Sequence, residues 1–124
     1  MTILALDQAS RTSGYSIFCD NQLIDSGTFT FTSTDMAKRL VSIRNKVEEL
    51  INEFHIEKVI LEDIQLQNTV GNNVSTYKAL AEVIGVITEL IAEKKLPYEL
   101  VYSSTWKSEL KIKGRSRDDQ KRNA

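Results

Sequence analysis

The stretch ILALDQASRTSGYSIF, residues 3–18, predicts how the fold begins. An apolar run typical of a strand buried on both faces ends in one acid, Asp7, and small hydroxylated residues then lead into a second strand-like run. A buried strand that ends in a carboxylate and turns through Ser and Thr is a common way to hold a metal ion or a phosphate. The alternative is that Asp7 only caps the turn.

Two further strands follow this stretch and complete a meander. GYSIFCD and QLIDSGTFTFT contain alternating and β-branched residues, and Asp20-Asn21 between them is a turn signal. We therefore expect three antiparallel strands at the start of the chain, of which the first is the most buried.

The rest of the chain predicts helix–strand crossovers. STDMAKRLVSIRNKVEELINEF has helical spacing, with Ser33 or Thr34 as the expected N-cap, and KVILED is expected to pair in parallel with the first strand. A long helix follows over residues 74–94, with Leu80 and Ile84 expected on its buried face together with Ile87 and Ile91.

A third parallel strand, PYELVYSS, is followed by a short helix, STWKSELK, and a basic loop, KGRSRDDQKRNA. The order βββαβαβα with a central first strand indicates an α/β, ribonuclease-H-like fold. Its mixed five-stranded sheet combines the N-terminal meander with two parallel strands and flanking helices. A Rossmann or flavodoxin-like fold would alternate strand and helix from the start, and the chain has no G-x-G-x-x-G motif.

Length and composition predict one globular domain over residues 1–124, with 41% apolar residues. No apolar run approaches the length of about 18 residues that indicates a membrane span, and no signal-peptide pattern opens the chain. We therefore expect a cytoplasmic protein without membrane association. The single Cys19 has no Cys or His nearby in sequence, which favours strand packing over a zinc site.

Charge is divided unevenly along the chain. Residues 1–106 carry nine Lys and Arg against fourteen Asp and Glu, a net charge of −5, whereas residues 107–124 carry seven against three, a net charge of +4. A basic segment of this kind is where a polyanion such as DNA would dock, and a solvated tail is the alternative.

Two strand-end acids meet in the predicted arrangement. Neighbouring parallel strands end at one edge of the sheet, so Asp7 and Glu62 are expected to lie close together. Close carboxylates repel each other unless a cation lies between them, and hard oxygen ligands favour Mg²⁺ or Mn²⁺. Such a site suits phosphodiester hydrolysis. The alternative is that both acids are ordinary strand-end residues.

Several motifs occur in the order found in the RuvC-type Holliday-junction resolvases of the ribonuclease-H-like superfamily. ILALDQASRTSGYSIF resembles their first motif, and VILEDIQLQN resembles their second, an apolar strand that ends in Glu. VYSSTWKSELKIKGRSRDDQ is similar to the strand, short helix and basic loop that precede their last helix. The likeness extends over essentially the whole chain, and the phage-encoded branch is the closer comparison.

This resemblance implies a metal-dependent endonuclease that resolves four-way junctions or other branched DNA as a homodimer, paired through helix 74–94. Asp7 and Glu62 would be the catalytic carboxylates and would bind Mg²⁺ or Mn²⁺. The implied DNA-binding residues are Ser10, Arg11, Gln65, Gln67, Asn68, Lys107, Lys111, Lys113, Arg115 and Arg117.

The chain departs from the family's pattern in two places. DQAS stands where cellular members have Asp-Pro-Gly-Ser, and two further acids that the family supplies from a C-terminal helix have no counterpart. Asp118 and Asp119 align with the start of the preceding helix, where Asp119 fits a capping box with Ser116. We therefore expect that this 124-residue chain lacks its last helix, binds branched DNA and cleaves it poorly.

Other interpretations stay open at this point. The same fold could be a catalytically inactive module that binds branched DNA, or an RNA-processing nuclease. An actin-like ATPase shares the fold but needs a second, similar domain, which 124 residues cannot contain.

Overall fold

The structure, a computed structural model, describes residues 1–63 and 74–102. The elements are β1 (Thr2–Asp7), β2 (Thr12–Cys19), β3 (Gln22–Thr30), α1 (Met36–Phe54), β4 (Lys58–Asp63), α2 (Val74–Glu93) and β5 (Tyr98–Tyr102). The short helix and the basic loop that the sequence predicts after residue 102 lie outside the described residues.

The strands form one sheet in the order β3-β2-β1-β4-β5. β1, β2 and β3 pair antiparallel. Asp20 and Asn21 between β2 and β3 both have positive φ, 51° and 71°, as the two central residues of a hairpin turn require. β4 pairs in parallel with β1, and β5 in parallel with β4. The predicted ribonuclease-H-like arrangement is therefore confirmed.

Both helices pack on one face of this sheet, where they share a single apolar core with β1, β2 and β4. The buried cluster consists of Leu4, Leu6, Ile17, Ile43, Val47, Leu50, Ile51, Ile56, Val59, Leu61, Val83, Ile87, Leu90 and Ile91. Successive residues of a strand point to opposite faces. Since Leu6 and Leu61 face the helices, the next residues on the two strands, Asp7 and Glu62, project from the other face.

Helix α1 begins one residue later than a Thr34 cap predicts and two residues later than a Ser33 cap predicts. Its N-cap is Asp35, whose carboxylate accepts a hydrogen bond of 3.0 Å from the backbone N–H of Ala37. The expectation of Ser33 or Thr34 was wrong. The hydroxyl of Ser33 instead accepts from the backbone N–H of Asp35 at 3.1 Å, so it orders the turn before the cap.

The predicted buried face of helix α2 is confirmed at Ile87 and Ile91 and was wrong at Leu80 and Ile84. Its fully buried residues are Val83, Ile87, Leu90 and Ile91, whereas Leu80 and Ile84 are only half-buried. The stripe is rotated because α2 packs against α1 as well as against the sheet. No helix in the described part of the chain is long and apolar enough to cross a membrane.

Ion pairs join the two helices along their exposed sides. Arg44 of α1 pairs with Glu89 at 3.2 Å and also with Glu93, and Lys94 pairs with Glu48 at 2.8 Å. The side chain of Glu48 is 30% exposed. Lys94 donates a hydrogen bond to Glu48 and thereby lowers the pKa of its carboxyl below the usual value of 4.5. These contacts link the middle of α1 to the C-terminal end of α2.

Candidate functional site

Asp7 and Glu62 occupy equivalent positions on neighbouring parallel strands. The paired register of β1 and β4 ends at Leu6 opposite Leu61, and the two acids are the next residue on each strand. Asp7 is exposed and Glu62 is half-buried, with its Oε1 atom buried. The structure therefore places Asp7 and Glu62 at neighbouring positions, where two adjacent parallel strands end.

Small residues lie beside Asp7 on its face of the sheet. In the register of β1 and β2, Asp7 lies opposite Gly14, and Ala5 lies opposite Ser16. A Cβ atom at Gly14 would lie 3.9 Å from the Cβ of Asp7. Because glycine has no side chain there, the space beside the Asp7 carboxylate is open to a ligand.

Gln8, the residue after Asp7, connects the ends of β1 and β4. It is 6% exposed. Its side-chain Nε2 donates to the backbone carbonyl of Glu62 at 2.5 Å, and its Oε1 accepts from the backbone N–H of Glu62 at 3.2 Å. Gln8 is a site residue that the sequence reasoning missed. The available signal was the amide side chain directly after the acid, where cellular members of the resembled family have Pro.

Ser13 closes the turn that follows. Its side chain is 1% exposed, and its hydroxyl both accepts from the backbone N–H of Ala9 and donates to the carbonyl of Ala9, each at 2.9 Å. The backbone N–H of Phe31 donates to the carbonyl of Arg11 at 2.8 Å and ties the same turn to the end of β3. The turn therefore has a defined shape, with Ser10 half-buried and Arg11 exposed at its tip.

A cleft of about 420 Å³ separates this turn from the start of α2. Its lining consists of Ala9, Ser10, Arg11, Thr12, Ser75, Thr76, Ala79 and Leu80. Two of the predicted DNA-binding residues, Ser10 and Arg11, thus face a groove that also holds hydroxyl groups from the first turn of α2. The positive end of the helix dipole and the Arg11 guanidinium both favour negative charge in this cleft.

The other predicted DNA-binding residues belong to the part of the chain that the structure does not describe. Gln65, Gln67, Asn68, Lys107, Lys111, Lys113, Arg115 and Arg117 lie outside the described residues, as do Asp118 and Asp119. Within residues 1–63 and 74–102, no group of three or more His, Cys, Asp or Glu side chains is arranged to hold a metal ion.

The donor set of Asp7 and Glu62 nevertheless fits a hard divalent cation. Mg²⁺ is commonly held by one or two carboxylates, with water and substrate phosphate oxygens completing its shell. The two acids supply such ligands at the ends of adjacent strands, where Asp7 is exposed and Glu62 is half-buried.

The sheet order and the crossover connections define the chain as an α/β domain of the ribonuclease-H-like class. Its sequence matches the family model of the crossover junction endodeoxyribonuclease RuvC over residues 3–122, and the chain belongs to this family. No curated protein matches it.

Solved structures show the same fold at low sequence identity. The RuvC of Thermus thermophilus in complex with Holliday junction substrate has a TM-score of 0.75 and 15% identity, over 89% of this chain and 69% of that one. A second Thermus thermophilus RuvC structure has a TM-score of 0.67 and 17% identity, over 82% of this chain and 64% of that one. The yeast mitochondrial Holliday junction resolvase has a TM-score of 0.59 and 13% identity, over 89% of this chain and 54% of that one. The chain therefore spans between about half and two thirds of the length of these proteins.

Proposed function

We propose that this protein is a divalent-metal-dependent endonuclease that cleaves the phosphodiester backbone of branched DNA, four-way junctions in particular. The observation that carries the proposal is the placement of Asp7 and Glu62 at the ends of two adjacent parallel strands, each one residue beyond the last paired residue. Membership of the crossover junction endodeoxyribonuclease family indicates that the reaction is cleavage of a DNA phosphodiester bond.

Asp7 and Glu62 would hold Mg²⁺ or Mn²⁺ as the catalytic ligands. When bound, such an ion polarises the phosphate and makes water a better nucleophile near neutral pH. The protein's own contribution is to hold both carboxylates on a rigid sheet edge. The glycine at position 14 leaves room for the DNA backbone to approach them.

The cleft beside the β1–β2 turn is the proposed path of one DNA strand. Arg11 supplies a cation, and Ser10, Ser75 and Thr76 supply hydroxyl donors, which suit contacts to phosphate rather than to bases. The proposal also includes DNA contacts from residues outside the described part of the chain: Gln65, Gln67, Asn68, Lys107, Lys111, Lys113, Arg115 and Arg117.

A homodimer through helix 74–94 is part of the proposal, since two copies would present two sites to two strands of one junction. In support, α2 exposes apolar side chains in its first turns: Val74 is 70% and Tyr77 is 36% exposed. Light scattering at micromolar concentration tests this, and a monomer would contradict it. The likeness to the phage-encoded branch is also part of the proposal, with the cytoplasm of a bacterium or of a phage-infected host as the location.

Cleavage of labelled four-way, three-way and linear DNA in Mg²⁺ or Mn²⁺ tests the main proposal. We expect the wild-type protein to cut branched DNA in preference to linear DNA. Asp7→Asn and Glu62→Gln should abolish cutting but spare binding, because removing negative charge beside a phosphate does not weaken attraction to DNA. Asp20→Asn is the matched control, since it removes an exposed carboxylate at the β2–β3 turn, at the opposite end of the sheet.

A second candidate is a catalytically inactive module that binds branched DNA. It is favoured by the finding that the described residues bring only two acids together at the sheet edge and no group of three. Tight binding of four-way DNA without cutting in either metal would establish this candidate. Preferential cutting of RNA would instead indicate an RNA-processing nuclease.

A further inference from the structure

We propose that Gln8 is a positioning residue, whose side-chain amide holds the backbone of Glu62 and thereby fixes the separation of the two acids. This inference rests on the proposed function, in which Asp7 and Glu62 bind a divalent cation together. It concerns a residue that is not itself a metal ligand.

β1 and β4 stop pairing just before the two acids. Backbone register between β1 and β4 extends only to Leu6 and Leu61, one residue before the acids. Beyond that point the side chain of Gln8 bonds to the backbone of β4. Its Nε2 donates to the Glu62 carbonyl at 2.5 Å, and its Oε1 accepts from the Glu62 N–H at 3.2 Å.

A carboxamide suits this role because it presents one donor and one acceptor in a plane, as a peptide group does. The Gln8 side chain therefore makes the two hydrogen bonds that a peptide group of β1 would make to β4, beyond the point where the two backbones are paired. An ionised carboxylate has no donor, and an apolar side chain has neither donor nor acceptor. Gln8 is 6% exposed, so water does not readily replace these two bonds.

The consequence for the site follows from chain connectivity. Asp7 and Gln8 are consecutive, so one short segment supplies the first carboxylate and also holds the backbone of the second. Any shift of β1 against β4 at this edge would change the distance between the two carboxylates. Mg²⁺ demands near-ideal octahedral geometry, so its binding is sensitive to such a shift.

Two nearly isosteric variants test the proposal. Gln8→Met removes both hydrogen bonds, and Gln8→Glu keeps the acceptor but loses the donor to the Glu62 carbonyl. Gln22→Met is the matched control, because Gln22 is exposed at the start of β3. If Gln8→Met fails to fold, as judged by its circular dichroism, Gln8→Glu still tests the donor bond.

The first measurement uses the metal-free protein. Amide hydrogen exchange followed by NMR should show the Glu62 N–H protected in the wild type and in Gln22→Met. In Gln8→Met this proton should exchange at least about tenfold faster, since its acceptor is gone. If the Glu62 N–H is as protected in Gln8→Met as in the wild type, Gln8 does not hold the backbone of Glu62.

The second measurement is Mn²⁺ binding by calorimetry, together with the Mg²⁺ dependence of junction cleavage. Residues that orient metal ligands typically change metal affinity by about 10–100-fold when they are mutated. We expect a loss in this range for Gln8→Met, which leaves the net charge unchanged, with metal-free junction affinity within about twofold of the wild type. A general loss of folding would lower both affinities together, so this split separates positioning from stability.

The positioning role of Gln8 can fail while the proposed nuclease function stands. If wild-type protein binds Mn²⁺ and cuts junctions while Gln8→Met does so with unchanged metal dependence, the positioning role is refuted and the proposed function stands. If wild-type protein binds no Mn²⁺, the proposed function fails. The positioning role then fails with it, even where the exchange of the Glu62 amide responds to Gln8.

Discussion

Replacing Ser13 with Ala tests whether the turn beside Asp7 is held by one buried hydroxyl. Ser13 is 1% exposed, and its Oγ makes two hydrogen bonds of 2.9 Å to the backbone N–H and carbonyl of Ala9. Alanine keeps the strand backbone and removes only the oxygen. Both backbone groups of Ala9 then lose their partner.

The expected cost follows from these two bonds. Each intramolecular hydrogen bond contributes about 0.5–1.5 kcal/mol net, so the pair is worth about 1–3 kcal/mol. Ala9 is half-buried, so water can partly replace the hydroxyl, and we expect about 1–2 kcal/mol of lost stability. For a chain of this size that corresponds to a fall in Tm of about 3–12 °C.

Urea and thermal unfolding followed by circular dichroism measure this loss directly. Ser16→Ala is the matched control, because Ser16 lies on the same strand but on the opposite face and is half-buried. It should change stability by no more than about 0.5 kcal/mol. If Ser13→Ala is as stable as Ser16→Ala, the hydroxyl does not hold the turn, and the defined shape of the β1–β2 turn loses its explanation.

Two other properties should change in predictable ways. Changing Lys107, Arg115 and Arg117 together to Ala should reduce the slope of log affinity against log salt by up to about 2.7, since each neutralised phosphate contributes about 0.9. Fluorescence anisotropy with labelled four-way DNA measures this slope, and an unchanged slope would make the basic segment a solvated tail. The ion pair of Glu48 with Lys94 lowers the pKa of the Glu48 carboxyl, so its contribution to stability is present above about pH 4.5 and is lost as the pH falls through the lowered pKa. The Tm difference between wild type and Glu48→Gln should therefore shrink on acidification, and a difference that grows would contradict this sign.

Most of the fold is readable from local patterns. Alternating and apolar runs, the Asp20-Asn21 turn and the helical spacing of α1 each depend on neighbours a few residues away, and the structure confirms the elements they predict. The neighbouring positions of Asp7 and Glu62 could also be predicted, because adjacent parallel strands end at the same edge of a sheet.

Local patterns were less reliable for the first residue of α1 and for the buried face of α2. Ser33, Thr34 and Asp35 are all good N-caps, and only the course of the chain leaving β3 selected Asp35. The periodicity of α2 allowed several apolar stripes. The stripe that is buried depends on the packing of α2 against α1, which the sequence of α2 does not contain.

By itself, the sequence determined which segments are strands and helices and which acids end the buried strands, because these properties follow from side-chain chemistry at short spacing. Only the tertiary structure decided how the acids are held. Gln8 meets the backbone of Glu62 across 54 residues of chain. No periodicity specifies that contact, because it depends on the point at which β1 and β4 diverge. A side-chain amide can take the place of a peptide group only where the folded chain has left one donor and one acceptor in reach.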